Sequence, residues 1–233
     1  MARPVCAIIG VGPGNGLALA KRFSQGGYDV ALLSRSHEKL DMFAKQVDRA
    51  RTYPCDAADP ESLASAFQAV AGDMGAVDVL CFNVGGGSWS TPDATTVEDM
   101  DRAFRINATG LLCAAQQVIP GMIKKGGGAI MISGATASVR GGPKTTAFAA
   151  AKAAQRSVAQ SLARFLSPKG IHVALFIIDG VIDLPRTRKV LPDRPDTFFL
   201  KADDIADTIF HTARQPKSAW TFEMDLRPFV ERW

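Results

Sequence analysis

The stretch that decides the fold is VCAIIGVGPGNGLALAKRFSQ, residues 5–25. An apolar run of strand length, Val5–Ile9, leads through a glycine-rich turn into an amphipathic helix expected over Asn15–Gln25. In such a turn the backbone can approach a pyrophosphate closely, and the helix N-terminus supplies N–H donors and a positive dipole end. The glycine spacing is G-x-x-x-G-x-G. The predicted phosphate contacts are Gly10, Pro13, Gly14, Asn15, Gly16 and Leu17.

Glycine is also common in tight turns without a ligand, so the rest of the chain must support this interpretation. Apolar runs of strand length occur at residues 5–9, 29–33, 52–55, 77–82, 129–132, 172–178 and 220–226. Helices are predicted between them, at residues 15–25, 38–49, 60–70, 97–124, 143–166 and 203–212. The strand cores are apolar on both faces, as parallel strands buried between two helical layers must be. We expect an α/β fold: a doubly wound parallel sheet of seven strands in a single domain.

The composition argues against several other classes of protein. The net charge of +4 is mild and the basic residues are spread among acidic ones, so no nucleic-acid partner is expected. The cysteines lack C-x-x-C spacing, which favours buried free thiols over a metal site or disulfides and suggests a reducing, cytoplasmic location. No apolar stretch approaches the roughly 20 residues that span a bilayer, so no membrane partner is expected. A strand predicted to begin at Val5 leaves no room for a signal peptide.

One segment, residues 184–200, follows neither a helical nor a strand period. It contains three prolines and four basic residues. A mobile lid over the ligand and a merely irregular connection both fit this pattern. Its basic side chains would either attract an acidic or phosphorylated substrate or simply be solvated.

The second predicted strand is followed by an arginine, Arg35, where a protein that selects NAD normally places a carboxylate for the ribose hydroxyls. A guanidinium group can instead form a forked, charge-assisted contact with a 2′-phosphate, and Ser34 or Ser36 can add a hydroxyl. The sequence therefore predicts NADP(H) as the cofactor. A solvated arginine is the alternative.

Taken together, five ordered motifs resemble the short-chain dehydrogenase/reductase family. They are the glycine turn, Cys55-Asp56-Ala57 after the third strand, Asn83-Val84-Gly85 after the fourth, Asn107 in a long helix, and Lys152. The resemblance covers nearly the whole chain, residues 5–226, and implies a Rossmann-type sheet that binds a nicotinamide cofactor.

The resemblance also implies roles for these residues. Asp56 and Ala57 would flank the adenine, and residues 83–85 would line the adenosine ribose. Lys152 would bind the hydroxyls of the nicotinamide ribose, and Asn107 would hold a water in a proton relay that leads to this lysine. A solvated helix lysine and a helix-kinking asparagine are the structural alternatives. Gly180 and Ile182 follow the sixth strand, where the backbone would approach the nicotinamide carboxamide.

Two positions depart from the family's pattern. Phe148 stands four residues before Lys152, where the resemblance implies the catalytic tyrosine, and a ring without a hydroxyl cannot donate a proton. Gly134 stands where the resemblance implies a serine, and Ser133 is one position off, on the opposite face of a regular strand. A missing general acid typically costs ~10²–10⁴ in rate. Reduction of an activated C=C bond tolerates this loss better than ketone reduction, because water can protonate the enolate later.

Asp179 is an unusual carboxyl group after the sixth strand. It could be a turn-forming residue or an acid/base group. Separately, the phenyl ring of Phe148 would make the pocket less polar and favour apolar substrates. Two functions follow. The protein is either an NADP(H)-dependent oxidoreductase of a small carbonyl or activated C=C substrate with an altered proton relay, or a non-catalytic NADP(H)-binding sensor or scaffold. The retained spacing of Asn107 and Lys152 favours the first. The resemblance further implies a homodimer or homotetramer.

Overall fold

In the computed structural model, a seven-stranded parallel sheet forms the centre of the protein. The structure describes residues 2–231. These residues contain β1 (Val5–Ile9), β2 (Asp29–Ser34), β3 (Ala50–Pro54), β4 (Val79–Phe82), β5 (Gly128–Ser133), β6 (Ile171–Ile178), β7 (Val181–Ile182), β8 (Phe199–Leu200) and β9 (Glu223–Leu226). The main sheet has the order β3-β2-β1-β4-β5-β6-β9, and β7 pairs with β8 separately. The chain reverses its winding direction between β1 and β4, so the predicted doubly wound α/β fold is confirmed.

Helices cover both faces of this sheet. They are α1 (Asn15–Gln25), α2 (His37–Ala44), α3 (Pro60–Met74), α4 (Val97–Phe104), α5 (Gly110–Lys125), α6 (Thr146–Leu166), α7 (Pro185–Val190) and α8 (Ala202–Ala213). Alternate residues of each strand point to opposite faces. In β1, Val5, Ala7 and Ile9 join the core beneath α3, α5 and α6, whereas Cys6 and Ile8 join the core beneath α1, α2 and α8. Both faces of β1, β4 and β6 are therefore buried, as their composition predicts.

The helix predicted over residues 97–124 is wrong as a single element. A π-helical turn, Arg105–Thr109, separates α4 from α5. Within this turn the Nδ2 of Asn107 donates to the carbonyls of Gly86 at 2.7 Å and Ala103 at 2.8 Å. The side chain thus bonds the carbonyl four residues earlier, a bond that apolar periodicity does not reveal.

Several predicted boundaries also need correction. The helix expected over 38–49 ends at Ala44, because the chain turns there and Arg49 takes a left-handed φ of 58°. The helix expected over 143–166 begins at Thr146, after a turn in which the backbone N–H of Gly142 donates to Thr145 Oγ1 at 2.8 Å. Strands expected from residues 77 and 220 begin at Val79 and Glu223, and the third strand covers 50–54 instead of 52–55. In the strands that begin at Val79 and Glu223, apolar residues precede the first paired residue.

Residues 184–200 are more regular than their sequence predicts. Pro185 begins the short helix α7, a position that suits proline because its missing N–H would be unpaired there, and β8 follows at Phe199–Leu200. Arg188 is held by Asp183 at 2.6 Å and by Asp196 at 2.7 Å. This basic side chain is therefore engaged within the protein, whereas the mobility of the segment stays a prediction.

None of the helices within residues 2–231 combines the length and apolar character needed to cross a membrane. In the same part of the chain, no group of three or more His, Cys, Asp or Glu side chains is placed to hold a metal ion. Cys6, Cys55 and Cys81 are buried free thiols, and Cys113 is half-buried.

Candidate cofactor and catalytic site

The glycine turn lies between β1 and α1 at the carboxyl edge of the sheet. Gly10 has a φ of +87°, and a Cβ on it would stand 2.6 Å from the carbonyl oxygen of Asn83. A Cβ on Gly16 would stand 2.7 Å from the carbonyl oxygen of Gly10. Neither position has room for a side chain, because the turn folds back on itself and against the end of β4. Gly14 faces Leu184, whose Cδ2 would be 2.9 Å from its Cβ, so the 184–200 segment begins directly over the turn.

The N-terminus of α1 fits an anionic group. Within residues 2–231 no side chain caps this end of the helix. The N–H of Leu17 donates to the carbonyl of Gly12 at 3.0 Å, which leaves the N–H groups of Asn15 and Gly16 for a ligand or solvent. Asn15, the first helical residue, is buried, and its Oδ1 has no hydrogen-bond partner among residues 2–231. Pro13 is exposed, and Leu17 and Gly14 line an open groove of about 340 Å³ beneath Leu184. An unpaired buried oxygen and a cradle closed to any Cβ are the features expected around a bound dinucleotide.

The residues predicted to hold the adenosine half lie at the ends of β2 and β3. Arg35 is exposed and makes no hydrogen bond or ion pair within residues 2–231, so its guanidinium group is available. Ser34 ends β2, and Ser36 caps α2 by accepting the N–H of Lys39 at 3.4 Å. Beyond β3, Asp56 accepts the N–H of Ala58 at 2.9 Å.

Ala57 comes next and is buried, and its carbonyl oxygen would be 2.3 Å from a Cβ on Gly110. The turn at residues 56–58 therefore rests against the start of α5. The contact requires glycine at position 110.

Asn83 connects three strands at the point where the winding reverses. Its Nδ2 donates to the carbonyl of Gly10 at 3.0 Å, after β1, and its Oδ1 accepts the hydroxyl of Ser133 at 2.9 Å, at the end of β5. The amide thus stabilises the sheet edge on which the glycine turn rests. Ser133 uses its hydroxyl in this bond, so it is not the missing serine of the resemblance.

Lys152 is buried against the loop that follows β4. Its Nζ donates to the carbonyls of Val84 and Ser133 and to Gln155 Oε1, each at 3.0 Å. Gly85 lies beside the same amine, since a Cβ there would be 3.8 Å from Nζ. Burial lowers the pKa of Lys152 to about 7. All three protons of the ammonium group have protein acceptors, so the amine is an internal anchor in this structure.

Gln155 is a residue of this site that the sequence reasoning missed. It is fully buried, and its Nε2 donates to the backbone carbonyl of Asn107 at 3.3 Å. The Oδ1 of Asn107 is also buried and has no hydrogen-bond partner in the described part of the chain. A sequence signal existed, because Gln155 follows Lys152 by three positions and shares its helix face within an alanine-rich run.

Phe148 lies on α6 one turn before Lys152, on the same face of the helix. Its ring stacks on Trp89, with centroids 5.5 Å apart and planes inclined by 24°. Trp89 belongs to the glycine-rich loop after β4 and was also missed, although a tryptophan between serines in a polar loop is unusual. At the position where the resemblance implies a tyrosine, the structure therefore has a phenyl ring stacked on an indole.

Gly134 is a crowded position for the serine that the resemblance implies. A Cβ at this position would stand 3.0 Å from the carbonyl oxygen of Phe176 and 3.2 Å from Ser138 Oγ. Its backbone N–H donates to the same Phe176 carbonyl at 2.8 Å. A side chain here would press against β6 on one side and against Ser138 on the other.

Asp179 is held at the end of β6 by several groups. The hydroxyl of Thr136 donates to its Oδ1, and the guanidinium groups of Arg140 and Arg227 lie 3.7 Å from its two oxygens. The carboxylate therefore joins the ends of β5, β6 and β9. These contacts agree with a structural, turn-forming aspartate.

Gly180 packs on Pro228, whose Cδ would be 2.8 Å from a Cβ there. Ile182 lies in β7, and its carbonyl accepts the hydroxyl of Thr187 at 2.6 Å. Both predicted carboxamide contacts are thus positioned by the 184–200 segment and the C-terminal strand.

Comparison with known proteins agrees with this arrangement. The family model described as short chain dehydrogenase matches residues 4–194. An uncharacterized oxidoreductase of Staphylococcus epidermidis is 27% identical over 225 residues, which cover 96% of each chain. A short-chain dehydrogenase of Rhodopseudomonas palustris has a crystal structure that is similar at 32% identity and a TM-score of 0.82, over 97% of this chain and 99% of that one. A metagenomic short-chain oxidoreductase in complex with NADP shares the fold, with a TM-score of 0.84 at 22% identity over 98% of each chain. The chain belongs to the short-chain dehydrogenase family.

Proposed function

We propose that the protein is an NADP(H)-dependent oxidoreductase that reduces a small carbonyl compound or an activated C=C bond. The observation that carries the cofactor preference is the free guanidinium of Arg35 at the end of β2, on the edge that bears the glycine turn. A carboxylate in this place would repel a 2′-phosphate, whereas a guanidinium group binds it in a forked geometry.

The residues that would hold NADP(H) are distributed along the carboxyl edge of the sheet. The pyrophosphate would meet the N–H groups at the start of α1, and the adenine would lie near Asp56 and Ala57. Asn83, Val84 and Gly85 would line the adenosine ribose, while Gly180 and Ile182 would face the carboxamide. When bound, the nicotinamide supplies or accepts a hydride.

Proton delivery is where this chain differs from the family's pattern. Phe148 has no proton to give, and the ammonium protons of Lys152 are engaged with Val84, Ser133 and Gln155. The remaining polar groups at the edge are poor acids at neutral pH, and the Thr136 hydroxyl already donates to Asp179. Solvent water is then the proton source. Such chemistry suits an enolate, which survives long enough to be protonated, better than an alkoxide.

The second candidate is a non-catalytic NADP(H)-binding protein that acts as a cofactor sensor or scaffold. The engaged state of Lys152 favours it, because an amine held by three acceptors is not free to serve a relay. Either form is proposed to be a cytoplasmic homodimer or homotetramer, with the exposed apolar side chains of Val97, Phe104 and Phe165 in the contact. Light scattering at low micromolar concentration tests the assembly, and a monomer contradicts it.

The cofactor proposal is tested by measuring NADPH and NADH affinity in the wild type and in Arg35→Ala. We expect Arg35→Ala to weaken NADPH binding about tenfold or more and to leave NADH binding within about twofold, because only NADPH carries the phosphate. Arg164→Ala, an exposed arginine near the end of α6, is the matched control. An equal loss for both cofactors would contradict the assignment of Arg35.

Turnover is tested by NADPH oxidation over ketones, aldehydes and enones, with Phe148→Tyr measured beside the wild type. Wild-type turnover with a preference for enones supports the oxidoreductase. A silent wild type that gains ketone reduction in Phe148→Tyr supports the non-catalytic alternative, since the frame would then lack only the hydroxyl.

A further inference from the structure

Two aromatic side chains form a wall at the ligand edge, which we call the aromatic wall and define as Trp89 and Phe148. Their rings are stacked with centroids 5.5 Å apart. Phe148 is half-buried, whereas Trp89 is 70% exposed. A large exposed indole is unusual on the surface of a globular protein, and here it lies beside the candidate catalytic position.

The wall is held in place by backbone contacts on both sides of Trp89. On one side Gly87 lies so close to α6 that a Cβ on it would be 3.3 Å from Phe148 Cα. On the other side the carbonyl of Ser90 accepts the hydroxyl of Thr146 at 3.4 Å. The backbone of the loop is thus tied to the first turn of α6 on both sides of Trp89.

The wall is also next to the buried lysine. Lys152 lies one helical turn beyond Phe148, and its amine bonds the carbonyl of Val84, at the start of the loop that carries Trp89. A ligand lying against the wall would therefore sit over the same loop and helix face that enclose Lys152.

We propose that the aromatic wall binds a planar, conjugated substrate, such as an aryl-substituted enone. This inference rests on the proposed function and names its substrate class. A flat π-system can stack on the rings in the offset geometry that aromatic groups prefer. The indole N–H of Trp89 makes no hydrogen bond within residues 2–231 and can donate to an oxygen of the ligand. A saturated ring of the same size would lose the stacking and gain only partial burial.

The test uses two probes with one carbon skeleton, 2-naphthol and trans-decahydro-2-naphthol, titrated calorimetrically into the full-length protein with and without NADP⁺. We expect 2-naphthol to bind about tenfold more tightly than its saturated analogue. Trp89→Leu should remove most of this difference, and Trp89→Phe should keep it within about threefold. Trp220→Phe is the control, because Trp220 stacks on His172 at 4.8 Å, beside β9.

Equal affinity for the two probes, or a Trp89→Leu protein that keeps the full difference, would overturn the proposal. Phe148→Leu provides a second variant with the same expected loss from the other half of the wall. The outcome is separable from that of the proposed function. A preference for 2-naphthol in a protein that does not bind NADPH supports the wall and contradicts the oxidoreductase, and NADPH oxidation without any probe preference does the reverse.

Discussion

The Oε1 of Gln155 lies 3.0 Å from the Nζ of Lys152, and both groups are buried. Through its Nε2 the same amide bonds the carbonyl of Asn107 at 3.3 Å. One side chain therefore joins the two residues that a relay would connect through water. An amide neither releases nor accepts a proton near neutral pH, so this bridge positions Lys152 without conducting protons.

Replacing Gln155 by leucine should destabilise the protein by about 1–3 kcal/mol, because a buried ammonium proton and a buried carbonyl would both lose their partner. Urea unfolding measures the change. Gln68→Leu, on the exposed face of α3, is the control and should change stability by less than about 0.5 kcal/mol. Wild-type stability in Gln155→Leu would show that the bridge is not formed in solution.

The lowered pKa of Lys152 predicts a dependence of stability on pH. Unfolded lysine holds its proton up to its ordinary pKa of 10.5, whereas burial lowers the folded pKa to about 7. Between these values the unfolded chain binds more protons, so raising the pH favours the folded state. The free energy of unfolding of the wild type should rise relative to that of Lys152→Met by more than about 1 kcal/mol from pH 7 to 10. Burial raises the pKa values of Tyr53 and Cys55 to about 12, so these groups lower stability as the pH approaches 10, but both proteins carry them and their effect cancels in the difference. A pH-independent difference would mean an unshifted lysine.

Replacing Asn107 should lower the free energy of unfolding, in addition to any effect on a proton relay. Asn107→Ala removes two buried hydrogen bonds to carbonyls, and Asn107→Asp replaces their donor by a carboxylate that repels both oxygens. We expect a loss of about 2 kcal/mol for alanine and more for aspartate, measured by thermal and denaturant unfolding. Thr109→Ala is an exposed change in the same π-helical turn and should be neutral. Full stability in both Asn107 variants would assign the residue to the relay alone.

Restoring the family's serine at position 134 should damage the protein and not activate it. A side chain there meets the carbonyl of Phe176 at 3.0 Å, so Gly134→Ser should cost about 1–3 kcal/mol from overpacking. Gly141→Ser is the matched control, since a Cβ on Gly141 would meet only Ala149 at 3.9 Å. An increase in ketone reduction by Gly134→Ser in the Phe148→Tyr background would show that the strand end can shift to present the hydroxyl.

Features encoded locally were predicted well. The glycine turn, the start and end of α1 and β1, and the two-faced apolar strands were all readable, because turn chemistry and burial on both faces leave direct marks in a short window of sequence. The interruption at Asn107 was anticipated only as the helix-kinking alternative for that residue, since a π-helical turn leaves the apolar period nearly unchanged. The 184–200 segment was difficult for a related reason: its short helix depends on contacts of Arg188 with Asp183 and Asp196.

The sequence by itself determined the doubly wound sheet, the glycine turn and the arginine at the end of β2, because each depends on the kind of residue present and its spacing. Only the tertiary structure decided what the site residues do. It crowded position 134 against β6, surrounded the amine of Lys152 with three acceptors, and brought Trp89 onto Phe148. These relationships join residues far apart in the chain, and their direction in space follows from how strands, loop and helix pack together. No local pattern contains that information.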